Sequence, residues 1–281
     1  MTDPIRLIDV GARGGIHKRW DAFHALMDVL AFEPDPEECA SLNSRRHPYS
    51  IRFLPVALGA QDGEQATLFV AKEPGCSSLL RPNMELCSRY PFGEAMKTVG
   101  ERSITITRLD TACGDFRPDV MKVDTQGTEL DVLRGAGRLL DTVLAVELEV
   151  EFVPQYVGQA LFSDVDPFMR HEGFALRGLR RTNWREAADH LHPYGGQILH
   201  GDVLYLRPER MDCHKGHVIL AAYQQYDLLA RFGASHMIPR VPPLIRFASR
   251  LLSGYPNREL RRFVDHLRPK SATDWHDPDF F

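Results

Sequence analysis

The sequence predicts an α/β protein with a mostly parallel sheet, an antiparallel edge strand and a C-terminal helical extension. Three observations carry this reading. Short apolar runs alternate with helical patterns as far as Pro208, which is how a parallel sheet covered by helices is written. The first run passes Asp9 into a turn containing Gly11, Gly14 and Gly15, and the second ends in Glu33, 24 positions after Asp9. Beyond Glu209 no strand pattern remains.

Arg6–Ala12 reads as a buried strand, Trp20–Met27 as a helix and Val29–Phe32 as a second strand. Asp35-Pro36 opens a helix, with an acceptor at the cap and proline in the first turn. Ile51–Leu58 is a third strand, and the Gly59–Gly63 turn leads into Ala66–Ala71 with hairpin character. Glu73–Glu101 has no clean period and carries three prolines and three glycines, as an irregular binding segment or an insertion would. Ser103–Leu109 alternates as a half-exposed strand. Val120–Val123 is a buried strand leading to Asp124, followed by a helix at Gly127–Leu140 and a strand at Val143–Glu151. Asp164–Glu172 is a helix, and Phe174–Leu179 with Val203–Leu206 form the antiparallel edge. Two helical stripes follow, Leu244–Leu252 and Leu260–Leu267. Between Arg240 and Lys270 there are eight basic residues against two acidic ones. The division expected is residues 1–208 and 209–281.

The chain has 281 residues, 43% hydrophobic and 26% charged, with a net charge of −4. That is ordinary for a globular protein and gives no global pull toward nucleic acid. Five cysteines with no C-x-x-C pair argue against a disulfide framework or zinc cluster, and no metal is expected. There is no basic-then-apolar leader and no apolar run long enough to span a bilayer, so a cytoplasmic protein is expected. The basic tail suits packing on its own domain or a second subunit, giving a homodimer. Peripheral contact with a membrane surface and docking of an acidic or lipid-linked substrate are the other options.

The strand-end carboxylates and glycines suit a nucleoside ligand at the sheet edge. Neither Gly11 nor Gly14 starts a G-x-G-x-x-G series, and there is no G-x-x-x-x-G-K-[ST] loop, so pyrophosphate ligands are disfavoured. A phosphate-free adenosine ligand with a cationic end fits better, and S-adenosylmethionine has that character. A nucleotide-dependent oxidoreductase and a non-catalytic binding module are the alternatives.

Several segments then resemble one family. They are Asp9-Val-Gly11-Ala-Arg-Gly14-Gly15, Phe32-Glu33-Pro34, Val56-Ala57-Leu58-Gly59 and Leu109-Asp110-Thr111. Most specific are Asp119-Val-Met-Lys122-Val-Asp124-Thr-Gln-Gly127-Thr-Glu129 and Val132-Leu133-Arg-Gly135-Ala136. From about Ile5 to Pro208 the chain resembles the FkbM family of S-adenosylmethionine-dependent methyltransferases. The resemblance implies a Rossmann-like class I methyltransferase fold, S-adenosyl-L-methionine as cofactor, and O-methylation of a sugar, glycan or other hydroxylated small molecule. Cofactor contacts are expected from Asp9, Gly11, Ala12, Gly14, Gly15, Glu33, Pro34, Val56, Ala57 and Asp124. Asp124 is the first candidate for general base and His17, after the glycine turn, the second. Ser78, Lys122, Glu129 and Glu149 are candidates for acceptor binding. Lys122 and Glu129 have a structural ion-pair network as the competing reading. Glu147, Glu149 and Glu151 alternate and so share a strand face.

Overall fold

The computed structural model describes residues 3–187 and 196–239. In chain order the strands are β1 (Ile5–Val10), β2 (Met27–Phe32), β3 (Ser50–Leu54), β4 (Ala57–Gly59), β5 (Gln65–Ala71), β6 (Thr98–Arg108), β7 (Val120–Val123), β8 (Ala145–Glu151), β9 (Ala175–Trp184) and β10 (Gln197–Leu206). The helices are α1 (Pro36–Ser44), α2 (Met84–Cys87), α3 (Leu109–Cys113), α4 (Glu129–Ala136), α5 (Phe162–His171), α6 (His214–Ala222) and α7 (Tyr226–Arg231).

Seven strands form the main sheet in the order β3-β2-β1-β7-β8-β10-β9. The first five run parallel, and β10 runs antiparallel to both β8 and β9. The closing pair is therefore the edge expected from the sequence, with the reversed strand one in from the rim. β4, β6 and β5 form a second, three-stranded sheet.

Several boundaries differ from the sequence reading. The third strand breaks at Pro55, which has no N–H to continue a ladder, so β3 stays in the main sheet and β4 joins the small one. The segment at Trp20–Met27 forms a 3-10 helix, Lys18–Leu26, and Met27 already belongs to β2. The irregular segment ends early, because β6 begins at Thr98. The edge strands are longer than their apolar runs, since their half-exposed ends pair with each other rather than bury.

Both faces of the main sheet are covered. Ile8, Met121, Val146 and Tyr205 pack with α3, α4 and α5 on one side. Leu7, Val29, Val120 and Ala145 pack on the other with Trp20, Leu42 from α1, and Val218, Ile219, Leu220, Leu228 and Leu229 from α6 and α7. The helices α6 and α7, in the segment read as an extension, thus complete this layer. The stripes at Leu244–Leu252 and Leu260–Leu267 and the basic stretch lie outside the described residues. α4 meets the small sheet backbone to backbone: a Cβ on Gly135 would lie 3.1 Å from the Gly59 carbonyl carbon. Among the described residues, no helix is long and apolar enough to cross a membrane.

Candidate active site

One face of the sheet changes character along its strands. Its first row, Leu7-Val120-Ala145-Leu206, is apolar. The next row places Asp9 beside Lys122 and Lys122 beside Glu147. Beyond it Glu149 lies opposite Asp202, and Asp202 opposite Arg180, followed by Glu151 opposite His200. The opposite face stays apolar at the same levels. Alternation therefore delivers every charge to one side at the carboxyl ends of the parallel strands, where ligands bind in open α/β sheets.

The glycine turn starts where β1 leaves the sheet. The Gly11 and Ala12 amides both donate to the Phe32 carbonyl at 3.0 Å, and the Asp124 amide donates to the Val10 carbonyl at 3.0 Å. Gly11 has φ +79°, and a Cβ there would lie 2.9 Å from the Asp124 carbonyl carbon and closer still to its oxygen. Only glycine allows the exits of β1 and β7 to touch. Ala12 is buried in the core, whereas Gly14 is exposed and its amide donates to Glu38 Oε1 at 3.3 Å.

Asp9 is 1% exposed, and Lys122 Nζ stands 3.7 Å from its Oδ1. That oxygen has no hydrogen-bond partner among the described residues. Burial outweighs the lysine and pushes the Asp9 carboxyl up to about 6. Lys122 also donates to Asp124 Oδ2 at 3.3 Å, and the carboxylates on both sides hold its ammonium above the usual range despite burial. Lys122 is thus a bridge between Asp9 and Asp124.

Asp124 is burdened by burial, but Lys122 and the Gln126 amide hold its carboxyl below the usual range. A carboxylate stabilised in this way is held ionised and is a weaker base than a free one. His17, the second candidate, is tied to Arg19. Its Nδ1 accepts from the Arg19 amide at 3.0 Å and Arg19 Nε at 3.1 Å, so a neutral ring carries its proton on Nε2. Burial and Arg19 push the imidazole down to about 4. His17 therefore presents a donor.

Glu33, at the end of β2, is 4% exposed, and its Oε1 accepts from the Asp35 amide at 2.9 Å. Burial raises its carboxyl, opposed by that bond and by Arg13, 3.7 Å away. Pro34 is half-buried beside it. Val56 is half-buried against the α4 side of the core, and Ala57 is buried in β4.

Two acceptor-site candidates have other work. Glu129 folds back on the turn before α4, where its Oε1 accepts from the Thr125 amide at 2.7 Å and the Gly127 amide at 3.1 Å. Burial lifts its carboxyl to about 7 against these bonds. Ser78 is buried, donates to the Gln126 carbonyl at 2.7 Å and accepts from the Leu80 amide at 2.9 Å. Both side chains brace loops.

Several residues of the site carried no role in the sequence reading. Arg19 makes a bidentate ion pair with Glu147 at 2.9 and 3.1 Å, and Tyr223 of the α6 end donates to the same carboxylate at 2.8 Å. Gln126 has φ +60°, a conformation rare outside glycine, and links Asp124 to Glu149 through its amide nitrogen at 2.9 and 2.6 Å. Glu149 reaches His200 Nδ1 at 3.0 Å, and Arg180 clasps Asp202 at 2.6 and 3.0 Å. Gln126 stood inside the most specific motif, and His200 and Asp202 alternate along one strand. Nothing in the sequence marks Arg19 or Tyr223 as partners of Glu147. Carboxylates outnumber cations here: Asp9, Asp124, Glu147, Glu149, Glu151 and Asp202 face Lys122, Arg19 and Arg180. Among the described residues, no group of three or more metal-ligating side chains is arranged to hold a metal ion.

Residues 9–176 match the family model described as the methyltransferase FkbM domain. A protein of Beauveria bassiana (strain ARSEF 2860) called Methyltransferase 1 is 27% identical over 172 residues, 56% of this chain. The match spans 66% of that protein, just under two thirds of its length. Among solved structures, magnesium protoporphyrin IX methyltransferase from Synechocystis PCC 6803, with bound SAM, aligns with TM-score 0.36 and 11% identity, covering 73% of this chain and 71% of that one. The 1,6-didemethyltoxoflavin-N1-methyltransferase of Burkholderia thailandensis aligns with TM-score 0.33 and 13% identity, with the same two coverages of 73% and 71%. The family model covers more than half of the sequence, and the chain belongs to the FkbM methyltransferase family.

Proposed function

We propose that the protein is an S-adenosylmethionine-dependent methyltransferase acting on an oxygen of a hydroxylated small molecule, with sugars and glycans as the acceptor class. The observation that carries the cofactor is Asp9 Oδ1, a buried carboxylate oxygen with no hydrogen-bond partner among the described residues. It belongs to a site with more carboxylates than cations, next to a turn where a side chain on Gly11 would strike Asp124. A buried charge left without a bond is costly, and a cationic ligand that meets it relieves that cost.

The residues fit such a ligand. The Gly11–Gly15 turn and Asp9 would hold its amino-acid end, and Glu33 would accept from the ribose hydroxyls. Pro34, Val56 and Ala57 would flank the adenine. Asp124 would stand by the sulfonium as a fixed negative charge. The cofactor supplies a methyl group on a positively charged sulfur that leaves as a neutral thioether. The protein aligns the acceptor oxygen with that carbon and excludes water. The family supports methyl transfer, and the oxygen acceptor is our reading.

Calorimetry with S-adenosylhomocysteine tests the site. Two hydrogen bonds to a charged partner, at roughly 1.5 kcal/mol for the two together after solvation, correspond to about a tenfold loss of affinity or more in Glu33→Ala. Absence of binding to the wild type, or equal affinity in the variant, would show the assignment to be wrong.

A further inference from the structure

A chain of hydrogen bonds leads from the cofactor side of the site to His200. Tyr156 Oη lies 2.9 Å from Gln126 Oε1, which orients the amide with Nε2 toward the carboxylates. Nε2 donates to Asp124 Oδ1 and Glu149 Oε2 at 2.9 and 2.6 Å. With Oε2 held as an acceptor, Glu149 presents Oε1 to His200 Nδ1 at 3.0 Å. The His200 side chain is 27% exposed, and Nε2 has no partner among the described residues. His17 differs in this respect, because Arg19 occupies its Nδ1 and leaves a donor outward.

We infer that His200 takes the proton from an acceptor hydroxyl, with Glu149 and Gln126 as positioning residues; this rests on the methyl-transfer reading above. In the step, the acceptor oxygen forms a bond to the methyl carbon. The carbon–sulfur bond breaks with its electron pair remaining on sulfur, and the hydroxyl proton passes to His200 Nε2. The ring must therefore begin with its proton on Nδ1, donated to an ionised Glu149.

The groups facing His200 make that state depend on the cofactor. They are Glu149 and Glu151 of β8, Asp202 of β10 paired with Arg180 of β9, and Asp124 after β7; burial lowers the imidazole, and Asp202 and Asp124 oppose that shift. Burial, then Asp124 and Glu151, push the Glu149 carboxyl well above the usual range. Without the cofactor's charge, burial and the neighbouring carboxylates keep a proton on Glu149, and the neutral ring carries its own on Nε2. Positive charge brought among these carboxylates favours ionised Glu149: its proton passes to Nδ1 and the Nε2 proton leaves to solvent, so one proton is released and Nε2 is freed. The base is thus armed only when the methyl donor is present.

Long-range proton–nitrogen NMR of 15N-histidine-labelled wild type reads the tautomer directly, with His200→Gln identifying the signal. Sinefungin, whose amine stands in for the sulfonium, is the probe. We expect the Nε2–H form in the free protein and the Nδ1–H form in the complex. A complex that keeps the Nε2–H form overturns this inference and leaves the cofactor reading intact. Absence of sinefungin binding in calorimetry removes both. On a hydroxylated acceptor the wild type methylates, His200→Gln should lower kcat by about 100-fold while S-adenosylhomocysteine affinity stays within threefold. An unchanged kcat would overturn the inference.

Discussion

Replacing Gly11 with alanine separates two demands that the turn makes on its residues. Gly11 and Gly14 have nearly the same φ, +79° and +80°, so an alanine at either meets a positive-φ penalty of roughly 1–2 kcal/mol. Their surroundings differ. A Cβ at Gly14 has nothing within 4 Å, whereas at Gly11 it falls inside 3.0 Å of backbone atoms of Asp124. Those atoms belong to a residue whose amide is bonded to Val10, so relief requires β1 and β7 to part. Overpacking of this kind costs roughly 1–3 kcal/mol more. The smaller entropy of unfolded alanine offsets both variants equally, by about 0.4–1 kcal/mol. Urea denaturation should therefore show Gly14→Ala destabilised by about 1 kcal/mol or less, and Gly11→Ala by about 2 kcal/mol beyond that. S-adenosylhomocysteine affinity should fall in Gly11→Ala, because Asp124 moves with its backbone. Equal stabilities for the two variants, within about 0.5 kcal/mol, would refute the claim that the strand exits are in contact.

Two further outcomes are expected. Arg19→Met leaves Glu147 buried with Tyr223 as its remaining hydrogen-bond partner among the described residues and should cost roughly 3–5 kcal/mol, while adding Glu147→Leu should recover much of the loss; a double variant no more stable than the single one would contradict this. Asp9 binds its proton more tightly folded, at about 6, than its ordinary value of 3.8, so its contribution to stability is full below 3.8 and lost as pH rises through 6. That difference is worth roughly 3 kcal/mol. The stability of wild type relative to Asp9→Asn should therefore decline between about pH 4 and 7, and parallel pH curves would show that Asp9 titrates normally.

The placing of Asp9, Gly11 and Glu33 together at the strand ends was legible because its physics is local. Gly11, Asp9 and Glu33 lie within one strand-turn-strand unit, and turn chemistry plus strand ends are enough to place them. Alternation likewise put Glu147, Glu149 and Glu151 on one face. What alternation does not say is which partner crosses to meet each one. Arg19 meets Glu147 across 128 positions of sequence, and His200 meets Glu149 across 51. Such pairs depend on strand order and on which helix covers the face. The loop bonds of Glu129 and Ser78 were hidden for a related reason: a polar side chain beside a turn can bond the turn's own amides, and residue type does not distinguish that from an outward-facing group. The helix at His214–Ala222 was passed over because it is apolar on nearly every side and lacks a stripe, as a helix pressed into a core should be.

The break at Pro55 has a practical meaning for anyone who wishes to redirect this protein. It moves the chain into a separate small sheet whose place is fixed by the Gly59–Gly135 contact, so the hairpin of β5 and β6 works as a socket for the segment between them. That segment is wired back to the charged face at Ser78, through the Gln126 carbonyl, and at Cys76, whose carbonyl lies 3.0 Å from Tyr156 Oη. A rebuilt loop that preserves the two strand anchors and these two links can change length and chemistry elsewhere without disturbing the carboxylates.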